Sequence, residues 1–335
     1  MQSLDIRVLS DALAWRQAGH AVTLVTVVET WGSAPRPPGA LLAVRDDGVV
    51  SGSVSGGCVE DDLIARTQAA LKTKDAHADD VKPSLISYGV SKEEAARFGL
   101  PCGGTLRLLQ EPLRDDGWLV ELLARTAAQQ LVARSVTLAS GAVQLGSAVR
   151  GQALQFDGVT LTTVFGPNWR LLLIGAGQLS QAVAQMALML DFEVLVCDPR
   201  EEYAATLVAS VPGIRRVEGM PDDAVLELRP DVHTAIVALT HDPKLDDLAL
   251  LEALQSDAFY VGALGSRRNQ AARKQRLAQH FDLSAEQLVR LHGPVGLALG
   301  AKTPAEIAVA IVAEIIQVKN LVAGALTTTP GGVPH

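Results

Sequence analysis

Between Arg170 and Glu201 the chain reads RLLLIGAGQLSQAVAQMALMLDFEVLVCDPRE, and this stretch narrows the possible folds more than any other. Leu171 to Ile174 is an apolar run of the kind a sheet buries on both faces. Gly175 and Gly177 supply a tight turn. Leu179, Val183, Met186 and Leu190 then recur on one helical face, and Val194 to Cys197 forms the next strand. Asp198 ends that strand 23 positions after Gly175, close to the ~20 expected of an acid that hydrogen-bonds a ribose. Ser180 stands where a third glycine is usual, and it is small enough for close helix packing. Strand, glycine turn, helix and strand in this order predict a Rossmann-like, doubly wound parallel sheet.

Further strands are expected at His233 to Leu239 and Phe259 to Ala263, alternating with helical stretches. Their ends carry THD (Thr240 to Asp242) and GALGSRRN (Gly262 to Asn269), on the sheet edge where such folds bind ligands. Arg267 and Arg268 can neutralise a phosphate there, or can be solvated residues at a helix start. FGPN, Phe165 to Asn168, is the expected boundary. It divides an N-terminal α+β domain, 1–167, from a nucleotide-binding domain, 168–326, and 327–335 reads as a mobile tail.

The N-terminal half opens with helical spacing of Leu4, Val8, Leu9 and Leu13, stopped by Gly19. A β-branched strand, Ala21 to Glu29, leads to a proline-punctuated loop, WGSAPRPPG, which holds Arg36 stiffly between Pro35 and Pro37 as a candidate anion contact. A hairpin turning at Asp46-Asp47-Gly48 delivers SVSGGCVE as a loop. A helical pattern follows, so Gly56, Gly57 and Cys58 fall where unpaired amides face an anion. Strands are also expected at Pro83 to Val90 and Thr105 to Gln110, a helix over 117–132, and short antiparallel strands between Val136 and Val164. A second cysteine loop, PCGG, brings Cys102, Gly103 and Gly104 to the start of the Thr105 strand.

Three cysteines, at 58, 102 and 197, make no disulfide framework and suit a reducing compartment. Cys197 reads as core packing and Cys102 first as structural. For Cys58 two readings stay open, a small buried thiol or a thiolate favoured at a helix N-terminus. The net charge of -8 argues against nucleic acid as a partner. The most apolar helical segment, Ala305 to Val322, is interrupted by Glu306, Glu314, Gln317 and Lys319, and no basic leader opens the chain, so a cytoplasmic protein without a membrane segment is expected. GLALGAKT lacks the glycine a phosphate loop needs before Lys302; its Thr303-Pro304 reads as a helix cap. No histidine pair has zinc-site spacing.

Taken together, GSAPRPPGALLAV, GSVSGGCVE, PCGG, GAGQLS with VCDPR, GALGSRRN and HGPVGLALGAKTPAEIAVAIVAEI resemble the xanthine dehydrogenase accessory proteins of the XdhC/CoxI family, from about Thr30 to Ile316. The resemblance implies a chaperone, not an enzyme. Its cargo would be the molybdenum cofactor, as molybdopterin or its cytosine dinucleotide. It would protect the cofactor, support its sulfuration with a cysteine desulfurase, and insert it into a xanthine dehydrogenase or aldehyde oxidoreductase. A homodimer is expected by the same resemblance. Residues expected to hold the cofactor are Ser33, Arg36, Ser55, Gly56, Gly57, Cys58, Cys102, Gly103 and Gly104. Gly175, Gly177, Asp198, Arg267 and Arg268 are expected on its nucleotide end, and Cys58 at the metal or its incoming sulfur. The rival is an NAD(P)-dependent oxidoreductase, which the glycine turn alone would signal more often. A third reading is a nucleotide-sensing assembly factor that never holds molybdenum.

Overall fold

The computed structural model describes residues 4–31, 36–57, 59–72, 82–89, 105–240, 242–281 and 283–327. Ser33, Cys58, Cys102, Gly103, Gly104, His241 and the tail from 328 lie outside the described residues. The chain divides into two compact units, Gln2–Gly166 and Pro167–His335.

The first unit holds two antiparallel sheets. One has five strands in the order β3-β2-β1-β5-β4: β1 (Val22–Trp31), β2 (Leu41–Arg45), β3 (Val50–Gly52), β4 (Ser84–Tyr88) and β5 (Thr105–Pro112). Its two faces are both buried, as the β-branched run of β1 requires. Val22 and Leu24 pack with Val8 and Leu9 of helix α1 (Leu4–Gln17) and Leu119 and Leu122 of α3 (Gly117–Ala127). Val25 and Val27 pack with Val59 and with Leu63 of α2 (Glu60–Lys72).

The second sheet has the order β7-β6-β9-β8, from β6 (Val132–Thr137), β7 (Val143–Ser147), β8 (Gln155–Phe156) and β9 (Thr160–Phe165). Val136 and Leu161 join Val28 and Leu109 in a shared core between the sheets. The helix expected over 117–132 stops at Ala127. Gln129 takes a left-handed φ of 60°, its amide and that of Gln130 close on Thr126 and Arg125, and β6 takes the chain from Val132.

The second unit is built on six parallel strands, β12-β11-β10-β13-β14-β15. They are β10 (Trp169–Ile174), β11 (Phe192–Cys197), β12 (Ile214–Val217), β13 (Thr234–Ala238), β14 (Tyr260–Ala263) and β15 (Leu291–His292). In chain order this is the 3-2-1-4-5-6 arrangement, which reverses direction between β10 and β13 and opens a crevice there. Helices cover both faces: α4 (Gln178–Met189), α5 (Glu201–Ser210), α6 (Pro221–Leu228), α7 (Pro243–Gln255), α8 (Arg267–Phe281), α9 (Ala285–Val289) and α10 (Pro304–Thr327). Val183, Ala184 and Ala187 of α4 pack on one side with Ala308 and Ile311 of α10; Ala249, Leu250 and Leu254 of α7 fill the other. At the start of α10, Glu306 accepts from the amides of Lys302 and Thr303, so GLALGAKTP is a capped helix start, as its Thr-Pro suggests. Cys197 is fully buried, and burial pushes its thiol up to about 11.

Candidate functional site

In the first unit, strand order gathers loops that are far apart in sequence. Trp31, the last residue of β1, is registered against Thr105, the first of β5. The end of β1 and the start of β5 therefore meet at one edge. β3 ends at Gly52 opposite Leu42, and β4 ends at Tyr88 opposite Leu106, both on that same edge. Arg36 Nε donates to the Ser53 carbonyl at 3.1 Å, which ties the proline loop to the SVSGG loop. Here the sequence-expected Arg36, Ser55, Gly56 and Gly57 come together.

The amides of that glycine loop already hold an anion, and it belongs to the chain. Glu60 Oε1 accepts from the amides of Val54 and Ser55 at 3.1 and 3.0 Å and from the Ser53 hydroxyl at 2.7 Å. Its Oε2 accepts from the amides of Gly57 and Val59 at 3.0 and 3.2 Å and from the Ser55 hydroxyl. The Gly56 amide turns to Ser53 Oγ at 2.9 Å. Burial works to raise the pKa of Glu60, but the Ser55 and Ser53 hydroxyls and the loop amides outweigh it and bring the carboxyl down to about 2. A ligand phosphate would have to displace Glu60 from this nest. Sequence reasoning missed Glu60; its one local sign was the acidic first turn, Glu60, Asp61 and Asp62, at a helix N-terminus.

In the second unit the glycine turn is built as its pattern predicts. Gly175 has φ 100°, and a Cβ there would lie 2.9 Å from Thr240 Cγ2, so the turn needs glycine both for conformation and for space. Gly177 is the N-cap of α4, receives no side-chain cap, and would place a Cβ in open space. An uncapped helix start facing open space fits a phosphate. Asp198 stands beside it with its carboxylate already engaged. It is 2% exposed and accepts from the Ala176 amide at 2.9 Å, from the Arg200 amide at 3.0 Å, and from Arg200 Nε and Nη2 at 2.9 and 2.7 Å. Those four donors fill a carboxylate's acceptor positions. Asp198 braces the turn, and a ribose hydroxyl would have to displace Arg200.

At the ends of β13 and β14 lies a buried ion network. Arg273 spans Asp246 at 2.8 Å and Asp247 at 3.1 Å, and Arg276 adds 2.9 and 2.7 Å contacts to Asp247. Burial pushes Asp246 up to about 6, against the pull of the Thr240 hydroxyl and Arg273. Arg267 and Arg268 are exposed at the start of α8. Among the described residues no cluster of three or more His, Cys, Asp or Glu side chains is arranged to hold a metal. No described helix is long and apolar enough to cross a membrane.

A doubly wound sheet with a phosphate-type turn, preceded by a unit of two antiparallel sheets, defines a class of two-unit proteins. Residues 171–315 match the XdhC Rossmann domain and residues 15–88 the XdhC and CoxI family. The molybdenum cofactor insertion chaperone PaoD of Escherichia coli K12 is 30% identical over 322 residues, covering 93% of this chain and 88% of PaoD. A probable xanthine dehydrogenase subunit of Bacillus subtilis 168 is 28% identical, covering 95% of this chain and 99% of that protein. YqeB of Escherichia coli K12 is 27% identical over 97% of this chain, which spans only 48% of YqeB's length. A crystal structure of a xanthine dehydrogenase from Bacillus halodurans has the same fold, with TM-score 0.69 and 23% identity over 100% of this chain and 98% of that one. The chain belongs to the XdhC and CoxI family.

Proposed function

We propose that this protein is a molybdenum cofactor insertion chaperone. It binds molybdopterin or its cytosine dinucleotide as cargo, shields it, and delivers it to an enzyme of the xanthine dehydrogenase or aldehyde oxidoreductase type. The similarity to PaoD across nearly the whole chain favours this reading. The observation that carries it is the uncapped start of α4 at Gly177, an open phosphate position at the crevice of the parallel sheet.

Within this reading the residues divide their work. The α4 amides meet a phosphate of the cargo, with Arg267 and Arg268 supplying positive charge on the same sheet edge. Arg36 and the loop held by Glu60 form the N-terminal contact surface, and Ser33, Cys102, Gly103 and Gly104 are proposed as further contacts with the cargo. Cys58 follows directly on the Glu60-bound loop in sequence and is our candidate for contact with molybdenum or incoming sulfur. Sulfuration with a cysteine desulfurase, a homodimeric state, the cytoplasm as compartment and the domain limits 1–167 and 168–326 belong to the same proposal.

Transfer is the test. Cofactor-loaded protein should restore activity to a cofactor-free xanthine dehydrogenase faster than an equal amount of free cofactor. Equal rates would mean that the protein does not deliver it.

A further inference from the structure

Thr240, just beyond the end of β13, stands between the glycine turn and a cleft. On one side it backs the glycine turn, where its Cγ2 limits the space at Gly175. On the other it lines a cleft of about 260 Å³ together with Leu264, Gly265, Asn269, Arg273 and Arg276. The cleft is a built feature. Its wall includes Asp246 and Arg273, 1% and 5% exposed, locked to each other at 2.8 Å. Asp246 in turn accepts from the Thr240 hydroxyl at 2.7 Å and amide at 3.3 Å, which fixes the residue between the turn and the cleft.

The cleft's remaining polar groups are not consumed by this network. Arg276 uses Nε and Nη2 on Asp247, and its Nη1 has no hydrogen bond among the described residues; neither does the Asn269 side-chain amide. A guanidinium donor and a carboxamide side by side suit a heterocycle that carries a ring carbonyl beside an exocyclic amine. The volume is smaller than the roughly 300–1,000 Å³ of a complete ligand pocket, so it suits one head of a longer molecule. Ligands of doubly wound sheets cross where the strand order reverses, here between β10 and β13.

We infer that the cleft is the second subsite of a two-headed ligand. One phosphate rests at Gly177, the ligand passes Thr240, and an amino-oxo heterocycle enters between Asn269 and Arg276. The inference deepens the cofactor reading above and rests on it for the ligand's identity. Both cytosine and pterin have the required edge.

Ala272 is exposed on the cleft wall, so Ala272→Trp fills the cleft without entering the core; Arg276→Gln removes the donor by a smaller change. Calorimetric titration would use cytidine diphosphate and inorganic pyrophosphate, alongside retention of nucleotide-free molybdopterin. If cytosine is the head, both variants weaken cytidine diphosphate about tenfold or more and leave pyrophosphate unchanged. If pterin is the head, the variants lose molybdopterin instead. Wild-type binding that neither variant weakens overturns the subsite. A wild type that retains no molybdenum cofactor, yet binds cytidine diphosphate in a cleft-dependent way, keeps the subsite and removes the chaperone reading.

Discussion

The carboxylate of Glu60 accepts hydrogen bonds from both the backbone amide and the hydroxyl of Ser55. With Val54, Gly57, Val59 and Ser53 completing the set, a loop whose glycines suggest an anion cradle is filled from within. The consequence is a division between the two units. The SVSGG loop is held at the N-terminus of α2 by Glu60, and the uncapped helix start at Gly177 is where we propose a ligand phosphate.

Replacing Glu60 with alanine removes the acceptor shared by four amides and two hydroxyls, and of these donors the Val59 amide also reaches Ser55 Oγ at 3.0 Å. A loss on the order of 3 kcal/mol is expected, read by denaturant unfolding, and formate should recover part of it by entering the vacated nest. The folded-state pKa, about 2, lies below the ordinary 4.5. The carboxylate's contribution is therefore complete above about pH 4.5 and disappears as pH falls through about 2, and Glu60→Gln should flatten that acid limb.

Asp246 titrates in the opposite sense. Burial raises it from 3.8 to about 6, so the stability gained by keeping it protonated is full below pH 3.8 and is lost as pH rises through 6. Unfolding free energy measured from pH 4 to 7 should carry this downward component in the wild type. Asp246→Asn should remove it.

Gly175 and Gly177 belong to one turn but should respond differently to alanine. Gly175→Ala forces a side chain to φ 100° against Thr240 and should cost roughly 1–3 kcal/mol. Gly177 has φ -85° and open space, so Gly177→Ala should stay within about 0.5 kcal/mol of wild type. Its methyl group instead intrudes on the phosphate position, and weaker pyrophosphate binding at unchanged melting temperature is the expected result.

Arg134 and Glu111 form an ion pair, 1% and 3% exposed, with the guanidinium 4.2 Å from the Trp118 ring centroid. Among the described residues Arg134 Nε and Glu111 Oε2 have no hydrogen-bond partner. Arg134→Ala strands a buried carboxylate and should cost about 3–5 kcal/mol. Arg134→Met combined with Glu111→Leu should recover most of that loss, as a double-mutant cycle in urea would reveal.

The parallel sheet is legible in sequence because its signals are local: an apolar run, two glycines and a helical face in one short stretch. Cys197, buried in the core behind the turn, follows from the same run. What escapes the sequence depends on tertiary geometry or on unmarked backbone. Gln129 ends α3 in a left-handed conformation with no glycine to announce it. The meeting of Trp31 with Thr105 requires β1 to pair with β5 across an intervening hairpin and helix. Spacing singles out Asp198, yet its acceptors are filled by Arg200 two residues on. Glu60 is the plainest case, since only the curvature of the folded loop turns its amides toward one carboxylate.

Cofactor retention tests the central claim most directly. Purified wild-type protein is equilibrated with molybdenum cofactor, freed of unbound ligand, and assayed for pterin by fluorescence after acid oxidation, beside Gly177→Ala and Cys58→Ala. A chaperone retains the cofactor stoichiometrically and loses affinity when the phosphate position at Gly177 is blocked; a further loss in Cys58→Ala would assign the thiol to the cargo. A folded wild type that retains neither molybdopterin nor its cytosine dinucleotide would contradict the proposed function.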